Sequence, residues 1–428
     1  MRLLIKIVIK SIIIKISGYS ERYSVNFFLI PIYFFYGSIL VLFQIILSLF
    51  KKVNFYYLDT KRIGHFVVQG SIFVNTVEKN SINIFCSDKI VCNEFLYKKI
   101  KKKLFFLNRQ FVLPIIIFSD FLNHFLPLKL KINHNYVLNR KHKMEFLNKL
   151  NKKPFINFSL SEDKFGEKIM EEKFGLNKKD KFICVIVRDE YYLKKLENKL
   201  DLTDKDINDH YRNYDLKKFI PSFRSIERKG YHIFRMGKFS NKKLNIKSKK
   251  IIDYVNSKYR SDFMDIYLIK NCNFMISTNT GLDFIAYLFK KKIGYLNLCV
   301  GYINFLRDNI YLPSNFIFKK NNRKLSLKEL FEFNVATNLD SLNFKKNKVQ
   351  PTHNTPNEIK NFLLEVEKDS HRVKTKKITK NQKKFWNIFV NNYFNLTYGK
   401  IVLKNKNFFN KSYISDSYLS KNSKWFLK

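Results

Sequence analysis

Between residues 182 and 297, short apolar runs alternate with stretches of helical periodicity, and each run ends in a polar motif. Residues 182–187 end in Arg188-Asp189. Residues 232–234 end in Arg235-Met236-Gly237, and residues 274–276 in Ser277-Thr278-Asn279-Thr280-Gly281. Strand, helix, strand in this order implies right-handed crossovers and a parallel sheet. In open sheets of this class ligands collect at the carboxyl ends of the strands. Two of these ends carry arginine and the third opens an apolar helix, a combination that suits an anionic, phosphate-bearing ligand.

A chain of 428 residues is too long for one core of ordinary size. The expected fold class is α/β, with two Rossmann-like domains facing a cleft. The first domain is expected over 53–150, with strands at 65–68, 81–86 and 111–118 and a helix at 93–104. Residues 151–180, rich in lysine and asparagine, are read as a linker. The second domain spans 181–330. One of its helices follows Asp215, with Pro221 at its start or at a bend and Gly230 as its stop. Another runs over 261–271, capped by Ser261 or Asp262. Residues 331–428 are read as a basic helical or partly disordered extension. Within 371–428 there are 14 Lys/Arg and a single acid, Asp416, interleaved with aromatic residues. That mixture fits single-stranded nucleic acid, a membrane interface or a solvated tail.

The net charge is +45, from 80 Lys+Arg against 35 Asp+Glu. Abundant Asn, Ile and Phe beside the lysine resemble coding from an AT-rich genome, so part of the charge is compositional. The remainder favours anionic partners. Five cysteines, at 86, 92, 184, 272 and 299, include no CxxC pair. They read as reduced thiols of a cytosolic compartment. Residues 25–50 contain no charge and are long enough to span a bilayer. Arg22 and Lys51-Lys52 flank them, and residues 1–16 interleave lysine with Ile, Leu and Val. Residues 1–52 are therefore expected to associate with an anionic membrane surface, either spanning or lying in it. The bulk of the chain is placed on the cytoplasmic face of the inner membrane. A buried core helix is the alternative for 25–50.

The turn Ser277, Thr278, Asn279, Thr280, Gly281 is the leading phosphate-binding candidate, although a helix cap uses the same residue types. Arg188 and Arg235 offer planar forks for phosphate oxygens, with Gly237 allowing close approach. Any single arginine in so basic a chain can also be a solvated surface charge. Asp209 to Asp215 forms a dense polar cluster before a helix. Part of it must cap, which leaves Tyr211, Arg212 and Asn213 as candidates for the donor side and His210 as a minor one. Asp262 joins them, although Asp262 and Asp265 also read as capping and solvation. In the first domain, Arg62-Ile63-Gly64-His65 places a histidine beside a glycine. His65 is the candidate general base, with Asp189 in reserve and Arg62 and Gly64 beside the acceptor. A turn glycine followed by a strand histidine is the competing reading. No acidic pair has the form of a diphosphate metal site, so neither metal nor cofactor is expected.

Taken in order, these motifs resemble a family of bacterial glycosyltransferases found with surface-polysaccharide genes. The set comprises Arg62 to His65, Val187-Arg188-Asp189, Tyr211-Arg212-Asn213, Arg235-Met236-Gly237, Asp253-Tyr254, Ser261 to Ile266 and Ser277 to Leu282. It covers about residues 60–330. The resemblance implies a two-domain transferase of the B type (GT-B-like). Such an enzyme moves a sugar from a nucleotide-sugar donor, itself a substrate, to a glycan or lipid-linked acceptor. The Arg-Asp end of the first strand is also similar to the His-x-Arg-Arg-Gly-Asp strand end of fucosyltransferase-like enzymes. Here Ile186 stands for the histidine, and the second arginine and the glycine are absent, so the donor nucleotide is left open. The competing function is a non-catalytic basic α/β protein that binds anionic membrane or nucleic acid. Under the transferase reading no specific nucleic acid is expected.

Overall fold

The computed structural model describes residues 12–20, 23, 25–77, 80–125, 154–189, 191–196, 213–302, 309–336, 341–372, 376–394 and 412–427. The chain divides into two compact units, Met1–Asn157 and Phe158–Lys428.

The first unit opens with a helix over residues 12–20 (α1) and a long apolar helix, Ile30–Phe50 (α2). Strand β1 (Val53–Leu58) follows, then α3 (Ile63–Thr76), β2 (Ile82–Ser87), α4 (Glu94–Lys101), β3 (Phe105–Phe106) and α5 (Arg109–Phe125). The three strands form a parallel sheet in the order β1-β2-β3. Asn93 caps α4 through its side chain, as a helix expected at 93–104 requires.

Two expected strands are helices. Residues 65–68 lie within α3, and residues 111–118 within α5. Both are nearly continuous apolar runs, because both helices are buried on most sides. A run of that kind carries no period to separate helix from strand. The strand that begins the sheet is β1, whose six residues are all buried.

Helix α2 is part of this core. Ile30, Gly37, Val41 and Gln44 are buried along one face, and Val41 clusters with Val112, Leu113, Ile116 and Ile117 of α5. The approach is close because position 37 is glycine. A Cβ there would lie 2.5 Å from the Pro114 carbonyl oxygen and 2.6 Å from Phe118 Cβ. Gln44 Nε2 donates to the Val53 carbonyl at 2.9 Å, tying α2 to the start of β1.

The second unit begins with α6 (Leu160–Phe174), inside the stretch read as a linker. Its signals are local: a capping box of Ser159 and Glu162, and Gly175 in the left-handed region at φ 68°. Gly166 lets α6 sit against the Tyr267 ring, which a Cβ would overlap.

Strands β4 (Phe182–Ile186), β5 (His232–Met236), β6 (Ile251–Ile252), β7 (Phe274–Ser277), β8 (Lys292–Leu298), β9 (Ile310–Pro313) and β12 (Tyr413–Ile414) belong to one sheet, whose order is β12-β9-β8-β7-β4-β5-β6. Every pairing in it is parallel. A separate antiparallel pair joins β10 (Asn315–Phe318) to β11 (Val349–Thr352). Helix α7 (Ile220–Arg228) begins at the proline, with Pro221 in its first turn, and α8 (Asp262–Asn271) is capped by Ser261.

The described part of residues 331–428 is folded into this unit. Helix α10 (Pro356–Ser370) packs on α7, and β12 (Tyr413–Ile414) extends the sheet beside β9. The aromatic residues interleaved with lysine are core residues: Phe385, Phe389 and Phe426 are fully buried, and Trp386 and Trp425 nearly so. Lys376 lies between Asp416 (2.8 Å) and Glu365 (3.1 Å).

Gly37→Val should lower the melting temperature of the first unit, because the atom met is backbone and cannot rotate away. Overpacking of this kind costs on the order of 1–3 kcal/mol. Gly18, with no atom within 4 Å of its added Cβ, is the control. Equal melting of the two variants would contradict this packing.

Candidate active site

The chain leaves β4 for β5 and β6 on one side, then returns to β7 on the other side of β4 and continues to β8 and β9. The strand order therefore reverses between β4 and β7. Open parallel sheets bind ligands outside the carboxyl ends of such a pair. The residues there are Arg188 and Asp189 after β4, and Ser277 and Thr278 at the end of β7.

Thr278 locks these two ends together. Its Oγ1 accepts the Arg188 N–H at 2.8 Å, and its N–H donates to the Ile186 carbonyl at 3.1 Å. The Arg188 carbonyl accepts the Tyr214 N–H at 3.0 Å, which returns Asn213 to this edge. Arg188 is half-buried. The Ser277 hydroxyl is fully buried and makes no hydrogen bond. Asn279, not Gly281, adopts the left-handed backbone, at φ 62°.

The turn differs from the expectation in one chemical respect. The Thr280 N–H donates to Asp283 Oδ2 at 2.9 Å, and its hydroxyl bonds Asp283 Oδ1 at 3.2 Å. The buried Asp283 carboxylate thus takes the Thr280 N–H and hydroxyl, as a helix cap does. The helix that follows, Asp283–Leu288 (α9), has six residues and is too short to add much dipole.

Arg235 is not the open fork that its strand-end position implies. It is 2% exposed. Its Nη1 donates to Asp253 Oδ1 at 3.0 Å and to the Lys242 carbonyl, and its Nη2 donates to Ser240 Oγ at 2.7 Å. Asp189 Oδ2 lies 3.7 Å away and accepts from Ser240 Oγ at 2.7 Å. Asp189 Oδ1 accepts the Tyr191 N–H. These residues hold the loop after β5 across three adjacent strand ends. Asp189, the reserve candidate for the base, is buried, with both carboxylate oxygens accepting hydrogen bonds from this loop and from Tyr191.

Gly237 opens that loop at φ 155°, with Val255 2.9 Å from where a Cβ would stand. Asp262 lies in the first turn of α8, 3.0 Å from Arg260 and 3.9 Å from Lys238 of the loop. It serves an ion cluster as well as the helix start. Tyr211, Arg212 and His210 lie outside the described residues.

In the first unit the expected base acquires a partner. Asp59 follows β1 directly, and His65 lies in the first turn of α3. His65 Nδ1 is 2.8 Å from Asp59 Oδ2. Burial would raise the Asp59 pKa. The hydrogen bond from His65 and the charges of His65 and Lys61 outweigh it and hold the carboxyl below its ordinary value. An ionised Asp59 fixes Nδ1 as the donor and leaves Nε2 with its lone pair. The imidazole is half exposed.

Arg62 is the N-cap of α3 and makes no capping bond with its side chain, while Gly64 is buried in the first turn. Asp88, at the end of β2, is the second acid on this sheet edge. It accepts from Tyr57 and lies 3.3 Å from Lys61 and 3.5 Å from Arg109. Sequence reasoning missed Asp59 because its place depends on β1, which was not foreseen. Among the described residues, no group of three His, Cys, Asp or Glu is arranged to hold a metal ion.

No family model matches the chain, and no curated protein matches it. Two solved structures are similar in part. One is a glycosyl transferase family 9 protein from Veillonella parvula, at 10% identity over 57% of this chain and 80% of that one, with TM-score 0.36. The other is the E. coli ADP-heptose lps heptosyltransferase II, at 10% identity over 57% and 84%, with TM-score 0.32. Likenesses this loose decide neither the fold nor the activity of this chain.

Arg235→Ala should unfold the second unit at a lower temperature, because Asp189 and Asp253 would lose their buried counter-charge. Breaking such a pair costs about 3–5 kcal/mol. An unchanged melting temperature would return Arg235 to the role of a ligand-facing cation.

Proposed function

We propose that this protein is a glycosyltransferase that moves a sugar from a nucleotide-sugar donor to a glycan or lipid-linked acceptor in surface-polysaccharide or lipopolysaccharide synthesis, without a metal ion. The observation that carries the reading is the strand-order reversal between β4 and β7, with Arg188 and the Ser277–Gly281 turn at that point. A nucleoside diphosphate is the ligand such an edge suits: anionic, extended, and needing both a guanidinium and close backbone approach. In the same proposal the acceptor is assigned to the cytoplasmic face of the inner membrane, and the exposed apolar stripe of α2 supports a membrane contact.

In this reaction an acceptor hydroxyl oxygen bonds to the anomeric carbon as the bond from that carbon to the diphosphate oxygen breaks. The leaving diphosphate gains negative charge. Arg188 balances it, in place of a metal. The acceptor proton passes to His65 Nε2, and the Asp59 carboxylate steadies the imidazolium that forms. The residues of the turn position the donor.

The competing function, a non-catalytic basic protein that binds nucleic acid or anionic membrane, draws on the net charge and the basic, aromatic tail, but among the described residues of that tail Trp386 and Trp425 are buried. An aromatic stacking platform must present its rings.

His65→Ala should reduce turnover by about 10²–10⁴-fold with donor affinity retained, the usual contribution of a positioned base. Asp59→Asn should reduce it less, because the imidazole loses the carboxylate that fixes its tautomer. Arg188→Ala should instead weaken donor binding. Steady-state kinetics across pH, with chelator present, read all three. A His65→Ala enzyme of normal turnover would refute the base, and activity restored only by added divalent metal would refute the charge balance.

A further inference from the structure

Helix α2 has two faces of different character. The buried residues Ile30, Gly37, Val41 and Gln44 form one stripe backed by α5. The opposite stripe holds Phe35, Leu42, Ile46 and Leu49, all exposed, and the helix ends at Phe50, which is 86% exposed. With 21 residues, α2 is about 31 Å long. It is the one helix, among the described residues, long and apolar enough to cross a bilayer. Yet protein backs it from Ile30 to Gln44, so a spanning α2 would carry into the bilayer α5, with its Asp120–Lys15 ion pair, and the start of β1 bonded to Gln44.

The end of α2 adds charge. β1, β2 and β3 all start at the same edge of the first unit's sheet. The Lys52 carbonyl accepts the Ile82 N–H at 2.8 Å. The pairing Ile84↔Phe105 brings Lys103 level with Ile82. Lys51, Lys102 and Lys103 are exposed there and Lys52 half so, next to exposed Phe50 and Phe105. An exposed apolar stripe with a row of lysines beside it suits one anionic leaflet, the stripe reaching its acyl chains and the lysines its headgroup phosphates.

We infer that α2 lies in the plane of an anionic membrane, with its Phe35–Leu42–Ile46–Leu49 stripe among the acyl chains and the lysine row on the headgroups, and does not span the bilayer. This deepens the membrane placement proposed above and is independent of the transfer reaction.

The test uses the full chain and vesicles of phosphatidylcholine, alone or mixed with phosphatidylglycerol. Flotation should recover about tenfold more protein on the mixed vesicles, given about 1 kcal/mol per surface lysine. Two triple variants, F35E/L42E/I46E and K51E/K102E/K103E, should each lose that binding. Topology is read separately, and does not depend on those variants folding. All five native cysteines are buried, so N26C and K51C each give one accessible thiol, at either end of the apolar segment. Both should react with a membrane-impermeant maleimide from the same side of intact vesicles. Reaction of one only after the vesicles are lysed would overturn the in-plane arrangement. Absence of flotation, with a concentration-dependent dimer in solution, would assign the stripe to a second copy of the chain and overturn the membrane placement altogether.

Discussion

Arg235 is a cation almost completely removed from water, and its neighbours decide what the second unit can do. It lies on β5, between β4 and β6 in the sheet. Its two acidic partners come from the flanking strand ends: Asp189 after β4 and Asp253 after β6. A buried guanidinium requires such partners, and their removal would leave an uncompensated charge. The same interaction draws the loop after β5 inward through Ser240 and Lys242. Three consecutive strand ends are thus fixed by one side chain. The carboxyl ends of β4, β5 and β6 are thereby tied together, and Arg188, half-buried on the same edge, is the arginine that the proposed function assigns to the donor.

The second unit was the more legible half of the sequence. Strands buried on both faces read as unbroken apolar runs, and these runs stopped within about two residues of the strand ends at Ile186, Met236 and Ser277. Caps were equally plain: Ser261 begins α8, and Pro221 lies in the first turn of α7. What sequence did not convey was occupancy. Arg188 and Arg235 occupy similar places in the text, yet one is half-buried on the edge and the other is enclosed by carboxylates 18 and 46 positions away in the chain. Only the pairing of β4, β5 and β6 brings those acids together.

The first unit was harder to read, for a related reason. Its helices α3 and α5 lie against sheet and helix on several sides, so their apolar residues fill the period that would reveal them. Residues 65–68 and 111–118 therefore looked like strands. With β1 unforeseen, Asp59 had no position, and the partner of His65 remained hidden. Helix α6 failed in the opposite sense. Its lysine-rich composition suggested a linker, whereas Ser159, Glu162 and Gly175 carried the local signal. The described part of the lysine-rich tail is largely helical, in line with the expectation, but its Phe385, Trp386, Phe389 and Trp425 are buried within the unit, which composition alone did not reveal.

The account depends on a nucleotide-shaped site at the β4–β7 switch point, and the most direct measurement is calorimetric titration of UDP, GDP, ADP and CMP into the full-length protein at low and high salt. One nucleotide should bind one-to-one and keep most of its affinity at high salt, because a shaped pocket adds contacts that counterion release does not remove. The heat should vanish in Arg188→Ala. Equal, weak binding of all four nucleotides, collapsing with salt as steeply as single-stranded DNA does, would contradict the account.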